Sequence, residues 1–379
     1  MSAADRPDEA PGGAHGPSRP GRVVAGFGRR VLVEDEALKR HRCIVSGRRL
    51  RAICGDRVDW RPALDQGDGL IVSILERDNE LARPDRRGRT EAIAANVSQL
   101  IVVAAPLPVP DPFILDRYLA AAALMGAGAC LVWNKCDLAD QEVPGSRAVR
   151  LGTDALADYA RIGYSVCATS AATGVGLDAL RHLLQGRTSI LVGQSGVGKS
   201  SLLNALMPDI AADTAEISAA TGEGRHTTTA SVLHHLPEAG ELIDSPGVRD
   251  YAPPPIPPER VAVGFLEFAE RVDDCRFANC MHLREPGCAI KAGVEDGAIA
   301  QRRYESYRRL VRRLSGTLAG IPEETLTRLG RQAYNNSIAR NIYREAIALV
   351  EAHRAAGHHL VIVSAATRYQ VEPIARALG

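Results

Sequence analysis

The sequence is poor in cysteine, in aromatic residues and in long apolar runs. Eight cysteines among 379 residues are too few for a disulfide scaffold, so we expect a reducing cytoplasm and regard clustered cysteines as candidate metal ligands. Aromatic residues make up 4% of the chain, which argues against broad base-stacking surfaces. No apolar run reaches the roughly 18 residues of a membrane span, and the N-terminus lacks the apolar core of a secretory signal. We therefore expect no association with a membrane.

The length and the composition indicate several domains. A chain of 379 residues corresponds to about two to four domains, and its net charge of +1 indicates no class of partner. Nothing in the pattern predicts an oligomer, so we expect a monomer. Composition shifts divide the chain into a tail that we predict to be disordered (1–20), a strand-rich segment (21–92), an alternating segment (93–252), a cysteine-bearing segment (253–314) and a C-terminal segment (315–379).

The strand-rich segment predicts a small β-barrel. Five short apolar or β-branched runs in about 70 residues, separated by Gly, Asp and Arg, are typical of an oligonucleotide/oligosaccharide-binding (OB) fold. Residues 21–90 hold 16 Lys and Arg against 11 Asp and Glu, so a nucleic-acid surface and an ordinary solvated surface both remain open. The predicted strands are Arg22–Gly26, Arg30–Val33, His41–Val45, Asp56–Arg61 and Gly69–Leu75.

The alternating segment predicts an α/β domain with a mainly parallel sheet. Its predicted strands are Gln99–Ala105, Ala129–Trp133, Tyr164–Thr169, Ser189–Gly193, Ser231–Leu236 and Glu241–Ile243. Helical patterns lie between several of them, at Phe113–Met125, Leu177–Gln185 and Lys199–Leu206.

A phosphate-binding loop is predicted where one of these strands meets a helix. The run matches Gly-x4-Gly-Lys-Ser in the strand-to-helix context that the motif requires, so backbone N–H groups and the helix N-terminus can converge on phosphate oxygens. Lys199 would reach the β- and γ-phosphates, and Ser200 would place its hydroxyl on Mg²⁺. The residues assigned to the nucleotide here are Gly193, Gln194, Ser195, Gly196, Val197, Gly198, Lys199, Ser200 and Ser201.

A guanine-binding motif is predicted after the strand that ends at Trp133. The Asp137 carboxylate can accept two N–H bonds from guanine, the stem of Lys135 can pack over the base, and Asn134 opens the motif. Ser170 and Ala171 supply a small loop beside the base. Each signal is weak alone, because these residues are common in surface turns, but beside a phosphate loop they indicate GTP.

Two switch segments follow the phosphate loop. Asp244 would hold Mg²⁺ through water, and the Gly247 N–H would meet the γ-phosphate. The run 224–229 is a candidate first switch, in which Thr228 would ligate Mg²⁺; a plain strand entry is the alternative for this threonine run.

The order of these motifs identifies a family. The guanine motif precedes the phosphate loop, which is a circular permutation of the ordinary GTPase order. With the further matches at 55–58, 77–83, 94–97 and in the cysteine cluster, residues 21–314 closely resemble the small ribosomal subunit biogenesis GTPases (RsgA, also called YjeQ). The resemblance implies an OB-fold barrel, a permuted P-loop GTPase domain (93–252) and a zinc domain. It also implies GTP hydrolysis during late maturation of the small (30S) ribosomal subunit, with binding to its rRNA.

The cysteine cluster predicts a structural zinc site. Cys275, Cys280, His282 and Cys288 offer three thiolates and one imidazole, which can form a closed tetrahedral Zn²⁺ site, and the family places zinc here. The helix that follows has six arginines against one glutamate, so either a solvated face or contact with rRNA phosphates is expected. These arginines are Arg302, Arg303, Arg308, Arg309, Arg312 and Arg313.

The candidate catalytic set is His226, Lys199 and Thr228. Many GTPases have Gln after the switch glycine, but Val248 stands there and cannot orient water, so His226 is the best candidate to do so. A histidine that points to solvent is the alternative. We expect slow turnover that the ribosome stimulates. Two other hypotheses are a factor whose subunit affinity is set by nucleotide, and a permuted GTPase of the large subunit, against which the barrel and zinc cluster count.

The C-terminal segment (315–379) departs from the family. Residues 351–367 resemble the second motif of haloacid-dehalogenase-like phosphatases, in which Ser364 would bind a phosphoryl group. That fold also needs an Asp-x-Asp-x-Thr nucleophile, which the sequence lacks, so we expect no phosphatase activity. We expect helices at 322–337 and 343–356 and a partial α/β fragment, either a truncated fusion or a small accessory domain.

Overall fold

The computed structural model contains a barrel, an α/β domain and a cysteine-bearing helical module. Of the predicted tail (1–20), the structure describes residues 15–20. His15 forms a β-bridge with Ala63, and the first strand begins at Arg19, inside the predicted tail. The residues that the structure describes are 15–45, 51–65, 67–84, 90–138, 156–208, 231–237, 240–245, 258–315, 327–328, 331–332, 334–335, 344–358 and 372–375.

The first five strands form the predicted barrel. Strand β1 pairs with both β2 and β4, so the order β1-β2-β3-β5-β4 closes on itself, with β3–β5 parallel and the other pairs antiparallel. The interior is apolar, and Trp60 is fully buried in it. The strands are β1 (Arg19–Phe27), β2 (Arg30–Glu34), β3 (Arg40–Val45), β4 (Arg57–Arg61) and β5 (Gly69–Ile74).

A two-stranded antiparallel sheet joins the barrel to the next domain. Strands β6 (Glu80–Pro84) and β7 (Thr90–Ala95) pair with each other, and the boundary expected at residue 92 falls inside β7. The side-chain amide of Asn79 both accepts from the Val97 N–H and donates to the Val97 carbonyl, each at 2.9 Å, which extends the pairing beyond the strands.

The α/β domain has a six-stranded sheet in the order β10-β9-β8-β11-β13-β12, in which all pairs are parallel except the antiparallel pair of β12 with β13. An apolar core covers each face, as the continuous burial of β8 requires. The strands are β8 (Gln99–Ala104), β9 (Gly128–Trp133), β10 (Ser165–Ala168), β11 (Thr188–Val192), β12 (Val232–Leu236) and β13 (Gly240–Asp244). The helices are α1 (Pro112–Leu124), α2 (156–162), α3 (Leu177–Leu184) and α4 (Lys199–Leu206).

The barrel and the α/β domain share one continuous sheet. Strand β1 pairs antiparallel with β12 at Ala25 and Val232, which gives an eleven-stranded sheet and covers the free edge of β12.

The helical module packs on α1 through an aromatic core that includes Phe265, Phe268 and Tyr307. Within the described ranges, no helix is both long and apolar enough to cross a membrane. The predicted helix 343–356 is confirmed as Arg344–Ala355, whereas most of 322–337 and of the remaining predicted α/β fragment lies outside the described residues. The module comprises 3₁₀ turns at Pro258–Gly264 and Val272–Asp274 and helices α5 (Leu266–Ala269), α6 (Ala289–Glu295) and α7 (Gln301–Ser315), followed by α8 (Arg344–Ala355).

Candidate nucleotide and metal sites

The phosphate loop lies between the buried strand β11 and helix α4, as its motif predicts. Two of its glycines are required by close approach. At Gly193 (φ +143°) a Cβ would lie 2.2 Å from the Val103 carbonyl oxygen, and at Gly198 (φ +93°) it would lie 2.3 Å from Asn134 Nδ2. Only a residue without a side chain therefore allows the loop to pack against β8 and the guanine motif.

The side chain of Lys199 binds the backbone of the phosphate loop. Its Nζ donates to the carbonyl oxygens of Gly193 and Gln194, each at 2.8 Å, so the ammonium group lies against the loop backbone. Helix α4 begins at Lys199 with no side-chain cap, which leaves the first-turn N–H groups available to an anion. Ser195, Ser200 and Ser201 are exposed beside them.

Asn134 brings three predicted segments together. Its buried side chain donates from Nδ2 to the Val197 carbonyl oxygen at 2.9 Å, while Oδ1 accepts from Thr169 Oγ1 at 3.3 Å and from the Ala171 N–H at 3.2 Å. The phosphate loop, the guanine motif and the loop at Ser170 are thus joined through one amide group. Ser170 is buried and its Oγ accepts from the Thr173 N–H at 3.2 Å.

Lys135 adds a fourth segment that the sequence analysis missed. Its Nζ donates to the Gly196 carbonyl oxygen at 2.6 Å and to the Leu107 carbonyl oxygen at 3.0 Å. Leu107 belongs to a proline-rich loop after β8. Ligands of parallel sheets bind at the carboxyl ends of the strands, so the position of this loop could have indicated that it belongs to the site. Asp137 is exposed in the turn Cys136–Leu138 and free to face a base.

Asp244 ends β13 at the same edge of the sheet, and desolvation raises its pKa above the usual value while the nearby His234 lowers it. Asp244 and Ser200 both carry side-chain oxygen atoms, the kind of donor that Mg²⁺ prefers. Ser245 and Ser231 are joined by an Oγ–Oγ hydrogen bond of 2.8 Å. His226, Thr228, Gly247 and Val248 lie outside the described residues.

The cysteine cluster forms a compact donor set that fits zinc. The ligand atoms of Cys275, Cys280, His282 and Cys288 all lie within 4.8 Å of one another. His282 Nδ1 lies 3.5 Å from Cys275 Sγ and 3.4 Å from Cys288 Sγ. Tetrahedral bonds of about 2.3 Å to sulfur and about 2.0 Å to nitrogen separate the ligands by about 3.5 Å, so these distances suit Zn²⁺.

Groups around the cluster hold its loop in place. Tyr304 and Tyr307 of α7 donate to the carbonyl oxygens of His282 and Met281 at 2.7 and 2.8 Å. Burial lowers the pKa of His282, which favours the neutral imidazole that binds metal. Burial also raises the pKa of Cys280, and a cation bound in the cluster would favour its thiolate form.

The expectation that the α7 arginines face rRNA phosphates is wrong for Arg303. Its guanidinium is fully buried and donates to Asp116 of α1 at 2.7 Å and to Glu267 of α5 at 2.6 and 2.8 Å. Arg302 also donates to Asp116, at 3.1 Å. Arg309 and Arg312 are exposed, with Arg309 lying over the Phe113 ring. Arg302 and Arg303 therefore fasten the module to the α/β domain, whereas Arg309 and Arg312 are exposed to solvent.

Two family models match the chain. The model described as RsgA GTPase matches residues 74–252, which contain every nucleotide-site residue named above. The model described as haloacid dehalogenase-like hydrolase matches residues 269–379. The second match begins inside the cysteine-bearing module, earlier than the expected start at residue 315, and Ser364 lies outside the described residues.

Curated relatives and solved structures match about four fifths of the chain. Small ribosomal subunit biogenesis GTPase RsgA from Chromohalobacter salexigens is 45% identical over 79% of this chain and 87% of its own length. The namesake from Pseudomonas aeruginosa is 44% identical over 83% and 89%. The structure is similar to YjeQ from Thermotoga maritima (TM-score 0.64, 34% identity, 79% of this chain and 99% of that one). It is also similar to YloQ, a circularly permuted GTPase (TM-score 0.61, 28% identity, 81% and 99%). The chain therefore belongs to the family of small ribosomal subunit biogenesis GTPases, RsgA.

Proposed function

We propose that this protein is a GTPase that acts in late maturation of the small ribosomal subunit and hydrolyses GTP to GDP and phosphate. The observation that carries the proposal is the Asn134–Val197 hydrogen bond, because it joins a guanine motif to a phosphate loop in a chain of the RsgA family. A nucleotide that occupies both segments must carry guanine at one end and phosphates at the other.

Each residue of the site has a proposed role. Lys199, which binds loop carbonyls at 2.8 Å, exchanges those partners for the β- and γ-phosphates, and Asp137 reads the base. Ser200 and Thr228 would hold Mg²⁺ directly and Asp244 would hold it through water; when bound, the ion neutralises phosphate charge. The Gly247 N–H meets the γ-phosphate, and His226 orients the attacking water because Val248 cannot. The zinc ligands are Cys275, Cys280, His282 and Cys288.

The proposed partner is the small subunit through its rRNA, bound by a monomer in the cytoplasm. Support comes from Arg309 and Arg312, which are exposed and can contact phosphates, and from the barrel, whose fold commonly binds oligonucleotides. None of the eight cysteines forms a disulfide, which is compatible with a reducing compartment.

A second candidate is a factor whose subunit affinity is set by nucleotide, with hydrolysis serving only release. Val248 in place of glutamine favours it, because it weakens intrinsic catalysis. Tight binding to subunits with a non-hydrolysable GTP analogue, without stimulated turnover of GTP, would support this second function.

Nucleotide binding and turnover by matched variants test the proposal. The wild-type chain should prefer GTP to ATP, Asp137→Ala should lose the preference, and Lys199→Ala should lose turnover. His226→Ala should retain GTP binding and lose stimulated hydrolysis. Equal affinity of the wild type for GTP and ATP would overturn the proposed substrate, and undiminished stimulated turnover by His226→Ala would overturn the role of that residue.

A further inference from the structure

The barrel touches the GTPase sheet through a cluster of charged side chains. Arg22 of β1 donates from Nη1 to both carboxylate oxygens of Glu241 on β13, each at 2.6 Å. Its Nη2 donates to Thr188 Oγ1 at 3.1 Å, and Thr188 donates to Glu241 at 2.5 Å. Since Thr188 opens the strand that leads into the phosphate loop, one barrel arginine links that strand to β13.

A second contact reaches β12. Glu34 of the barrel is 5% exposed, and its Oε1 lies 2.6 Å from His235 Nε2. Arg40 lies 3.6 Å from Glu34, and His235 Nδ1 lies 3.9 Å from Glu241. We name Arg22, Glu34, His235 and Glu241 the interdomain cluster.

The cluster lies at one end of the β12–β13 pair, and the switches leave from the other. His235 and Glu241 are partners in the ladder near the turn, whereas Val232 is paired with Asp244 at the opposite end. At that opposite end the barrel backbone also pairs, through Ala25 and Val232. The barrel therefore holds this strand pair at both ends, by side chains at the turn and by backbone where the switches begin.

The two switches are joined to each other where they leave the sheet. Ser231 follows the first switch and Ser245 opens the second, and their hydroxyls are 2.8 Å apart. A shift of the β12–β13 pair relative to β11 would move Ser231 and Asp244 together relative to the phosphate loop.

We propose that Arg22 and Glu34 are positioning residues that transmit docking of the barrel to the switches. They fix β12 and β13 against the phosphate-loop strand, so displacement of the barrel by a bound subunit changes the placement of Asp244. This inference rests on the proposed function, because it requires that small subunits stimulate turnover. It differs from simple interdomain adhesion, which would affect stability and binding but not the ratio of stimulated to basal turnover.

A double-mutant cycle on the full chain tests the proposal. We would measure basal turnover, GTP affinity, small-subunit affinity and stimulated turnover for Arg22→Gln, Glu241→Gln and the double variant. Arg161→Gln, which breaks the exposed Arg161–Asp158 pair on α2, is the matched control. Each single variant should lower the stimulated-to-basal ratio at least about fivefold, with basal turnover and both affinities near wild type, and the double variant should be no worse than either single variant.

Three results would overturn the proposal. The first is an unchanged ratio of stimulated to basal turnover in both single variants. The second is a fall in that ratio that matches the loss of small-subunit affinity. The third is a double variant whose ratio falls by the combined effect of the two single variants. If a glutamine variant fails to fold, Arg22→Lys keeps the charge but loses the two-oxygen contact; an intermediate ratio supports the proposal, and a wild-type ratio overturns it. Absence of stimulation in the wild type contradicts the proposed function itself and is thereby distinguished from failure of the inference.

Discussion

Asn134 Nδ2 lies 2.9 Å from the carbonyl oxygen of Val197, so a residue of the guanine motif holds the middle of the phosphate loop. The two residues are 63 positions apart and belong to different strand–loop units. The geometry of the phosphate loop therefore depends on the guanine motif even before a nucleotide is bound.

Asn134→Ala should weaken GTP binding without any change in the residues that contact phosphate. The variant leaves the buried Val197 carbonyl, the Thr169 hydroxyl and the Ala171 N–H without this partner, and unmet buried groups cost about 1–3 kcal/mol each. We expect at least about tenfold weaker GTP binding in equilibrium titration. Wild-type affinity would contradict the structural role of this amide.

Gly198→Ala and Gly196→Ala should separate a steric clash from backbone strain. Both glycines have positive φ, +93° and +84°, so alanine strains either by about 1–2 kcal/mol. Only at Gly198 does the added Cβ meet a nitrogen at 2.3 Å; at Gly196 the nearest atom is a Pro108 carbon at 3.4 Å. Gly198→Ala should therefore lower the unfolding midpoint and weaken GTP binding more than Gly196→Ala does. Equal effects of the two variants would argue against the close contact between position 198 and Asn134.

Removal of zinc should unfold the helical module rather than the GTPase sheet. Cys280→Ser deletes one of four ligands, and we expect it to lose bound zinc and to expose residues 258–315 to proteolysis. Cys130→Ser alters a buried thiol in the sheet and is the control, which should keep about one zinc per chain by metal analysis. Full zinc content in Cys280→Ser would refute the assigned ligand set.

Asp116→Asn should destabilise the contact between α1 and α7. Arg303 is fully buried, so loss of the Asp116 charge removes one of its two carboxylate partners and leaves Glu267; removing a partner from a buried ion pair costs about 3 kcal/mol. A lowered unfolding midpoint by calorimetry is expected, together with early proteolysis at the module. Asp178→Asn, in an exposed pair on α3, should leave the midpoint unchanged. If both variants melt like the wild type, the buried pair does not fasten the module.

The bond between His235 and Glu34 should make stability depend on pH. The hydrogen bond to Glu34, followed by the charges of Glu34 and Glu241, raises the pKa of His235 above 6.5, while burial and Arg40 oppose this. A raised folded-state pKa means that the stabilisation is complete below about pH 6.5 and is lost as pH rises through the folded-state value.

Comparison of wild type with His235→Gln gives the check. The difference in unfolding midpoint should be larger near about pH 6 than near about pH 9, because only the protonated imidazole is stabilised by Glu34. A difference that is constant over this range would show that the His235 charge contributes nothing.

Much of the architecture could be predicted because its signals are local. The barrel strands and the parallel sheet follow from apolar runs, and the structure confirms them within a few residues. The sheet of β6 and β7 was missed, because Ala-rich and Pro-containing strands have poor β propensity and rely on contacts such as that of Asn79 with Val97.

The motifs of the candidate site could be predicted from the sequence, but the distant residues that hold them in place could not. The phosphate loop, the guanine motif and the zinc ligands have fixed spacing, so the sequence alone indicates them. The burial of Arg303 depends on Asp116, which is 187 positions away, and the ion pair of Arg22 with Glu241 joins residues 219 positions apart. Such pairs are set by tertiary packing and leave no periodic signal in the sequence.

Multiple-turnover hydrolysis of GTP by the full chain, with and without purified small ribosomal subunits, tests the central claim most directly. Large subunits and ATP serve as controls. We predict slow hydrolysis by the protein alone and a rise of at least about tenfold with small subunits only, for GTP and not for ATP. Turnover that small subunits leave unchanged, or that rises equally with large subunits, would contradict the account.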